Sequence, residues 1–332
     1  MDIFFDEQYD ASTMRVAVKE GTPAACGQWT EHKMNFVGSP IPVGVLQGIM
    51  VNPALKSADR KAMLGEVLTQ LHQEQWRKGE MLSVVVPQNA KERQLLEDFG
   101  YMTASFRLAA SSQVPEDFVP DERIEVVEED EWGRELWLFY SRNAGAHQFE
   151  VKLNESDFYA MLAVHDLQGG VVLSARRFGK IVGLALVFKE GKPLKSGKAS
   201  TKQYRLNMRY VLAYDETVLR TMQHYAMQRE SECKQMVIMG GCPAKGFGGV
   251  QPYAMFRIIN AKKFLELVGN RLPGLQVSVT LKGDDAIPEN NKSFRLRDGR
   301  CYIGLLEYDS VMGPGGIPAM LLSGQLVQFP GI

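Results

Sequence analysis

The first hundred residues alternate short apolar segments with one long amphipathic segment. The short segments predict strands, and they occupy residues 13–21, 26–38, 43–51 and 81–89. The long segment covers residues 57–77, where Leu64 and Leu68 belong to an apolar stripe with helical spacing. A second helix is predicted to begin at Ala90 and to end at Gly100. This order predicts a mixed sheet with helices packed against it.

A second block partly repeats the first. Residues 110–123 are rich in Ser, Pro, Asp and Glu, a composition typical of a linker. After it we predict a strand, a helix, a hairpin and a strand–helix–strand unit, at residues 123–130, 132–144, 169–190 and 207–241. The glycine-rich stretch "GGCPAKGFGGVQP" has Phe247 where a phosphate-binding loop would have Lys. An interdomain connection is therefore the preferred interpretation of these glycines.

A third block begins near Tyr253. The segment "MFRIINAKKFLELVGNRL" is predicted to open a helix, and "LQVSVTLKG" and "SFRLRDGRCYIGLLEY" are predicted to be strands. A chain of 332 residues has room for two or three domains. The predicted fold class is α/β (α+β), with mixed sheets flanked by helices.

Composition narrows the function classes. The net charge of −1 argues against a general nucleic-acid binder. The four cysteines are scattered and form no CxxC pair, so neither a disulfide framework nor a metal site is expected. The start "MDIFFDEQYD" lacks the pattern of a secretory signal, and no apolar run approaches the ~20 residues of a membrane span. We predict a cytoplasmic protein with no membrane partner; the oligomeric state, a homo-oligomer included, stays open.

Several motifs resemble one family. The segment "VGVLQGIMVNPALKSADRKAMLGEVLTQLHQEQWRKGEMLSVVVP", followed by "FGY", resembles the acetyl-CoA strand, turn and helix of the GNAT N-acetyltransferase superfamily. The motifs "ARRFGKIVGLALV", "YVLAYDETVLRTMQHYA", "MFRII" and "PENNKSFRL" are similar to the enhanced-intracellular-survival-type members. The resemblance implies a GNAT-like domain shortened at its start, a second GNAT-like domain and a sterol-carrier-protein-like domain, at residues 1–112, 113–250 and 251–332.

The resemblance also implies acetyl-CoA as the cofactor. Strand backbone would bind the pantetheine arm and the following turn the pyrophosphate; the implied residues are Ile49, Met50, Val51, Lys56, Ser57 and Arg60. The two glycine positions of the family turn are occupied by Asp59 and Lys61. Two like charges 4 Å apart repel by about 4 kcal/mol at an effective dielectric near 20, against about 0.3–1 kcal/mol of attraction from a helix dipole. Asp59 would therefore oppose phosphate binding if it pointed into the cleft.

An alternative interpretation of this turn needs no ligand. Ser57 would be the N-cap of the helix and Asp59 a favourable carboxylate in its first turn. The direction of the Asp59 side chain distinguishes the two interpretations.

The catalytic groups that the resemblance implies are weakened in this sequence. The tyrosine that protonates the leaving thiolate in the family corresponds to Leu96, which cannot donate a proton. Tyr101 is a candidate substitute, although packing in the core is the more frequent role of such an aromatic residue. The family base is the C-terminal carboxylate, here that of Ile332.

Two hypotheses of different classes remain. The first is an acetyl-CoA-dependent N-acetyltransferase that transfers the acetyl group directly to a small-molecule or peptide amine. The second is a non-catalytic protein of the same shape that binds a small molecule or a protein partner. The preserved strand–turn–helix order favours the first, and the altered motifs favour the second.

Overall fold

The computed structural model describes residues 11–87, 89–103, 106–112, 118–144, 151–193, 202–231, 233, 236–239, 250–252, 254–304 and 311–316. The chain divides into two compact units, the first formed by Met1–Ser105 with Pro252–Ile332 and the second by Phe106–Gln251. The division at residues 112 and 250 into three domains stays a prediction.

The described elements follow the predicted alternation. The strands are β1 (Met14–Lys19), β2 (Thr22–Phe36), β3 (Ser39–Val51), β4 (Leu82–Val85), β5 (Met102–Thr103), β6 (Phe106–Ser112), β7 (Ile124–Glu128), β8 (Val151–Lys152), β9 (Val171–Arg177), β10 (Lys180–Pro193), β11 (Lys202–Ala213), β12 (Met236–Met239), β13 (Val250–Pro252), β14 (Met255–Ile258), β15 (Val277–Leu281), β16 (Ser293–Arg297), β17 (Arg300–Gly304) and β18 (Val311–Met312). The helices are α1 (Ser57–Lys78), α2 (Ala90–Glu97), α3 (Arg134–Asn143), α4 (Glu155–Leu167), α5 (Glu216–Arg229) and α6 (Ala261–Arg271).

The sheet of the first unit runs in the order β1-β2-β3-β4-β14-β5. The strands β1, β2 and β3 pair antiparallel, whereas β4 pairs parallel to β3 because α1 connects them. The apolar stripe of α1 lies against this sheet, with Leu64, Val67, Leu68 and Leu71 all buried. Burial of this stripe stabilises the helix, as the helical spacing predicts.

The strand β14 was not predicted. We expected "MFRII" to open a helix, but Met255–Ile258 is a strand between β4 and β5, and the helix begins at Ala261. All four residues of β14 are buried, so the segment lacks the alternation that marks a half-buried strand. Residues 252–332 thereby belong to the same compact unit as residues 1–105.

A buried ion pair fixes the loop that follows α6 and β15. Arg257 of β14 donates a hydrogen bond to the Asp284 carboxylate, and both side chains are almost fully buried. Asp284 Oδ1 also accepts from Ile287 N at 3.0 Å, and its Oδ2 accepts from Asn290 Nδ2 at 2.9 Å. Asn290 in turn accepts from Ala261 N at 3.0 Å. The motifs "MFRII" and "PENNKSFRL" therefore meet in one polar network. Beyond this network, α6 packs on a small sheet of order β17-β16-β15-β18.

The second unit has the sheet order β13-β6-β12-β11-β10-β9-β7. Apolar residues of α3 and α4 pack on one face, and those of α5 pack on the other. The hairpin of β9 and β10 turns at Phe178-Gly179, as predicted, with positive φ at both residues. Residues 110–112, expected in the linker, end strand β6, where Ser112 is the partner of Met236. The glycine-rich residues 240–249 lie outside the described residues.

Candidate active site

The strands β3 and β4 diverge in the first unit. They pair only from Val43 with Leu82 to Val45 with Val84. Beyond this point β3 continues along β2 as far as Val51, whereas β4 continues beside β14. The two strands therefore open a gap in the middle of the sheet, beside the start of α1.

A β-bulge lies at the point of divergence. The register of β2 and β3 shifts so that Gly48 and Ile49 stand opposite the single residue Gly27. Gly48 has a φ of 58°, which glycine adopts without the strain of a Cβ atom. At Gly27 a Cβ atom would lie 3.3 Å from Leu71 Cδ1, so only glycine allows α1 to approach without displacement. A bulge bends its strand, and this bend accounts for the gap.

A cavity of about 330 Å³, the β3–β4 cavity, lies beside this gap. Its wall is formed by β3, α1, and α2 with its N-cap, and its lining residues are Ile49, Val51, Leu64, Asn89, Lys91, Glu92, Leu95 and Leu96. The aliphatic side chains favour an apolar or amphipathic chain, and Lys91 and Glu92 add one charge of each sign.

The start of α1 lies in the turn that follows β3. The N-cap is Lys56 and no side chain caps the helix, so the expectation of Ser57 as the N-cap was wrong. Ser57 lies inside the first turn because the extended backbone of Lys56 precedes it, and Arg60 N donates the first helical bond to Lys56 O at 2.9 Å. By contrast, Asn89 caps α2 by accepting from two backbone N–H groups. An uncapped helix start carries the positive end of the helix dipole.

Two of the four charged residues at the start of α1 form ion pairs. Asp59 forms an ion pair with Lys19 of β1 at 2.8 Å, and it is not among the residues that line the β3–β4 cavity. Lys61 is paired with Asp98 at 2.8 Å. Lys56 and Arg60 form no ion pair with any described residue. The helix start is therefore net positive, and the repulsion expected from Asp59 is offset by Lys19.

Solved structures share this architecture. Eis1 from Mycobacterium abscessus matches with a TM-score of 0.70 and 14% identity, over 96% of this chain and 83% of that one. A GCN5-related N-acetyltransferase from Anabaena variabilis matches with a TM-score of 0.69 and 12% identity, over 96% and 83%. A probable N-acyltransferase from Enterococcus faecalis matches with a TM-score of 0.66 and 13% identity, over 93% and 79%. No protein-family model and no curated protein sequence matches the chain.

The chain has the GNAT fold. These matches confirm, at the level of the fold, the resemblance seen in the sequence. Structural similarity at such low sequence identity establishes the fold alone. The sterol-carrier-protein-like character of residues 251–332 stays a prediction. Within the described part of the chain, no helix is long and apolar enough to cross a bilayer, and no group of three or more His, Cys, Asp or Glu side chains is arranged to hold a metal ion.

The structure places the candidate catalytic residues differently. Tyr101 is fully buried, and its hydroxyl lies 2.7 Å from both His72 Nε2 and Ser83 Oγ. Burial raises the pKa of Tyr101 and lowers the pKa of His72 well below its ordinary value. The Tyr101 hydroxyl thus belongs to a buried network outside the cavity lining, whereas Leu96 lines the cavity. Ile332 lies outside the described residues.

The second unit contains a similar divergence without an open helix start. Strand β11 pairs with β12 only from Leu206 to Arg209 and then continues to Ala213, past a bulge at Tyr210 with a φ of 48°. Here, however, Asp215 caps α5 and accepts from Val218 N at 2.8 Å. This carboxylate, which also pairs with Arg177 at 3.3 Å, occupies the N-cap position that no capping side chain fills at the start of α1. The GNAT fold therefore offers its better anion site in the first unit.

Some site residues were missed in the sequence. Gly27 and Gly48 create the bulge, and Asn89, Lys91 and Leu95 line the cavity. The signal for the bulge was present, since a glycine inside a predicted strand commonly marks one. The lining residues of α2 had no comparable signal, because only the packing of α2 brings them near β3.

Proposed function

We propose that this chain is an acetyl-CoA-dependent N-acetyltransferase that acts on a small-molecule or peptide amine. The observation that supports it is the combination, in one unit, of the β3–β4 cavity with the uncapped start of α1. An apolar cavity beside a net-positive helix start suits a ligand with an apolar arm and a pyrophosphate. The structural neighbours include a GCN5-related N-acetyltransferase and a probable N-acyltransferase, which agrees with this assignment.

The residues present fit this cofactor in part. In our proposal, backbone groups of Ile49, Met50 and Val51 bind the pantetheine arm, because β4 has left this edge of β3 without a strand partner. The N–H groups near Ser57 bind the pyrophosphate together with the side chains of Lys56 and Arg60. The glycine-free turn is the departure from the family pattern, and ion pairing directs Asp59 and Lys61 towards protein partners.

Acetyl-CoA supplies the activated acetyl group as a thioester. The amine attacks the thioester carbonyl directly, and backbone N–H groups near Val51 stabilise the negative charge that develops on the carbonyl oxygen. Leu96 excludes water at the cavity wall and donates no proton. A CoA thiolate is a better leaving group than an alkoxide, so transfer without this acid is slower but feasible. We place the reaction in the cytoplasm.

The second candidate function is binding without catalysis. It is favoured by Leu96 at the position of the family acid and by the absence of glycine from the turn. In that case the β3–β4 cavity would hold a small molecule or a segment of a partner, and acetyl transfer would be undetectable.

Titration calorimetry with acetyl-CoA, with CoA as the reference ligand, tests the proposal. We expect Arg60→Gln to weaken binding about tenfold, because Arg60 has no competing ion pair and a charge-assisted bond contributes about 1.5–3 kcal/mol. Lys61→Gln is the matched control, since it removes the same charge from the same helix turn where Asp98 already neutralises it. No binding at millimolar acetyl-CoA, or equal losses in the two variants, would contradict the proposal.

A further inference from the structure

Lys91 is the one cation among the described residues that line the β3–β4 cavity. It is the second residue of α2, and it is exposed. It forms no ion pair with any other residue that the structure describes. A lysine carries its charge on a flexible stem with three rotatable donors, so its ammonium group can adjust to a bound anion. Lys91 is therefore available to a ligand in the cavity.

The backbone at the start of α2 has already used two of its donors. Asn89 Oδ1 accepts from Lys91 N and from Glu92 N, both at 3.0 Å. These are N–H groups that an uncapped helix start would leave free for an anion. The contribution of α2 to anion binding is therefore concentrated in the ammonium group of Lys91.

The start of α1 leaves room for such a contribution. Its turn contains no glycine, so side chains limit how closely a phosphate approaches the backbone N–H groups. Side-chain cations must then supply a larger share of the binding, and charge-assisted hydrogen bonds are the strong ones. Leu64 of α1 and Lys91 of α2 line the same cavity, which places the ammonium group on the wall that faces α1.

Glu92 limits where an anion can bind. It is the one carboxylate in the described lining of the cavity, and it follows Lys91 directly. Consecutive residues of a helix project about 100° apart and do not face each other. An anion in the cavity is attracted by Lys91 and repelled by Glu92, so it would lie on the Lys91 side of α2.

We infer that Lys91 binds a phosphate group of acetyl-CoA, and that this side chain of α2 compensates for the missing glycines of the turn before α1. The inference deepens the proposed function and rests on it. Two groups of the cofactor carry the chemistry that an ammonium group recognises, the pyrophosphate and the 3′-phosphate of the adenosine. The pyrophosphate would be shared with Lys56 and Arg60, whereas the 3′-phosphate would be bound by Lys91 apart from them.

The first test is titration calorimetry of the full chain with CoA. We expect Lys91→Gln to weaken binding about tenfold, because it removes a charge-assisted hydrogen bond. Lys91→Arg keeps the charge and should bind nearly as well as wild type. Lys78→Gln is the matched control, because Lys78 is 62% exposed in the last turn of α1, at the far end from the turn, and pairs with Glu31. An unchanged dissociation constant in Lys91→Gln, or an equal loss in Lys78→Gln, would overturn the inference.

Glu92→Gln provides a test of opposite sign in the same helical turn. Removing the carboxylate removes repulsion, so this variant should bind CoA at least as tightly as wild type. A loss equal to that of Lys91→Gln would show that the first turn of α2 acts through its folding and would contradict a charge contact. Urea unfolding of each variant checks that the fold is retained.

Two shortened ligands identify the group that Lys91 binds. S-acetylpantetheine has neither the pyrophosphate nor the 3′-phosphate, and it should bind wild type and Lys91→Gln equally. A tenfold loss for this ligand would overturn the inference, because the effect would not come from a phosphate. Dephospho-CoA lacks only the 3′-phosphate. A loss in Lys91→Gln with CoA and dephospho-CoA alike assigns Lys91 to the pyrophosphate, and a loss with CoA alone assigns it to the 3′-phosphate.

The dependence on salt gives a readout that a structural role would not change. Added salt screens charge contacts near the surface, so it should weaken CoA binding more in wild type than in Lys91→Gln. Equal salt dependence in the two proteins would overturn the inference and leave acetyl-CoA binding intact. Failure of acetyl-CoA to bind wild type at millimolar concentration would instead overturn the proposed function itself.

Discussion

Glu80 gives the first unit a pH-dependent stability. This residue lies between α1 and β4 and is 3% exposed, and its Oε2 atom has no hydrogen-bond partner. Nearby, Gln75 is fully buried with both amide atoms unpartnered. The two side chains occupy the space beside Gly44, where a Cβ atom would lie 2.2 Å from Glu80 Oε2 and 2.3 Å from Gln75 Nε2. A charged carboxylate is costly in such a place.

Burial, reinforced by the negative charge of Glu31, raises the pKa of Glu80 from 4.5 to about 9. Glu80 is therefore protonated in the folded chain at pH 7, whereas in the unfolded chain it is ionised. Below pH 4.5 both states are protonated and there is no penalty. As pH rises from 4.5 towards 9, the folded state binds more protons than the unfolded state, so the free energy of unfolding falls by about 1.4 kcal/mol per pH unit. At pH 7 the accumulated loss is about 3 kcal/mol.

Replacing Glu80 by Gln removes this penalty and keeps the shape of the side chain. We expect Glu80→Gln to be close to wild type in stability at pH 5 and more stable by about 3 kcal/mol at pH 7. Urea unfolding at pH 5, 6, 7 and 8, followed by circular dichroism, measures the difference. Glu97→Gln on the exposed surface of α2 is the control, and its difference from wild type should not follow this slope. A difference between Glu80→Gln and wild type that stays constant from pH 5 to pH 8 would refute the reasoning.

Three further substitutions test the packing around the site. Gly44→Ala should lower the free energy of unfolding by about 1–3 kcal/mol, because the added methyl overlaps two buried side chains; a urea midpoint equal to that of wild type would contradict this. Arg257→Met should cost about 3–5 kcal/mol in thermal or urea unfolding, because it leaves the buried Asp284 carboxylate without its partner, and the double variant with Asp284→Asn should recover part of the loss. Tyr101→Phe should lower stability by about 1–2 kcal/mol and leave acetyl transfer unchanged, since the hydroxyl serves the buried network. A large loss of kcat in a folded Tyr101→Phe variant would instead assign the hydroxyl a role as proton donor.

Local patterns were sufficient for the elements around the site. The alternation of residues 13–51 predicted β1, β2 and β3, and the helical stripe predicted α1 within one residue of its observed end. The resemblance pointed to the same strand and turn that the structure places beside the cavity. These signals are local, because burial on one face of one element is recorded in its own residues.

The strand β14 could not be predicted from local sequence patterns. Its four residues are all buried, so the sequence holds no period that separates a strand from the start of a helix. Its place between β4 and β5 is decided by pairing with residues that are far away in the sequence. The Arg257–Asp284 pair contributes to this placement, and the sequence around either residue does not indicate that the two are paired.

The sequence by itself determined the alternation of strands and helices, the resemblance to GNAT proteins and the position of the turn before α1. Only the tertiary structure decided that β3 and β4 diverge and that Asp59 pairs with Lys19 rather than lining the cavity. The physical reason is that a charge or a bulge acts through neighbours in space. Lys19 neutralises Asp59 across the contact of β1 with α1, a relation that no spacing within either segment encodes.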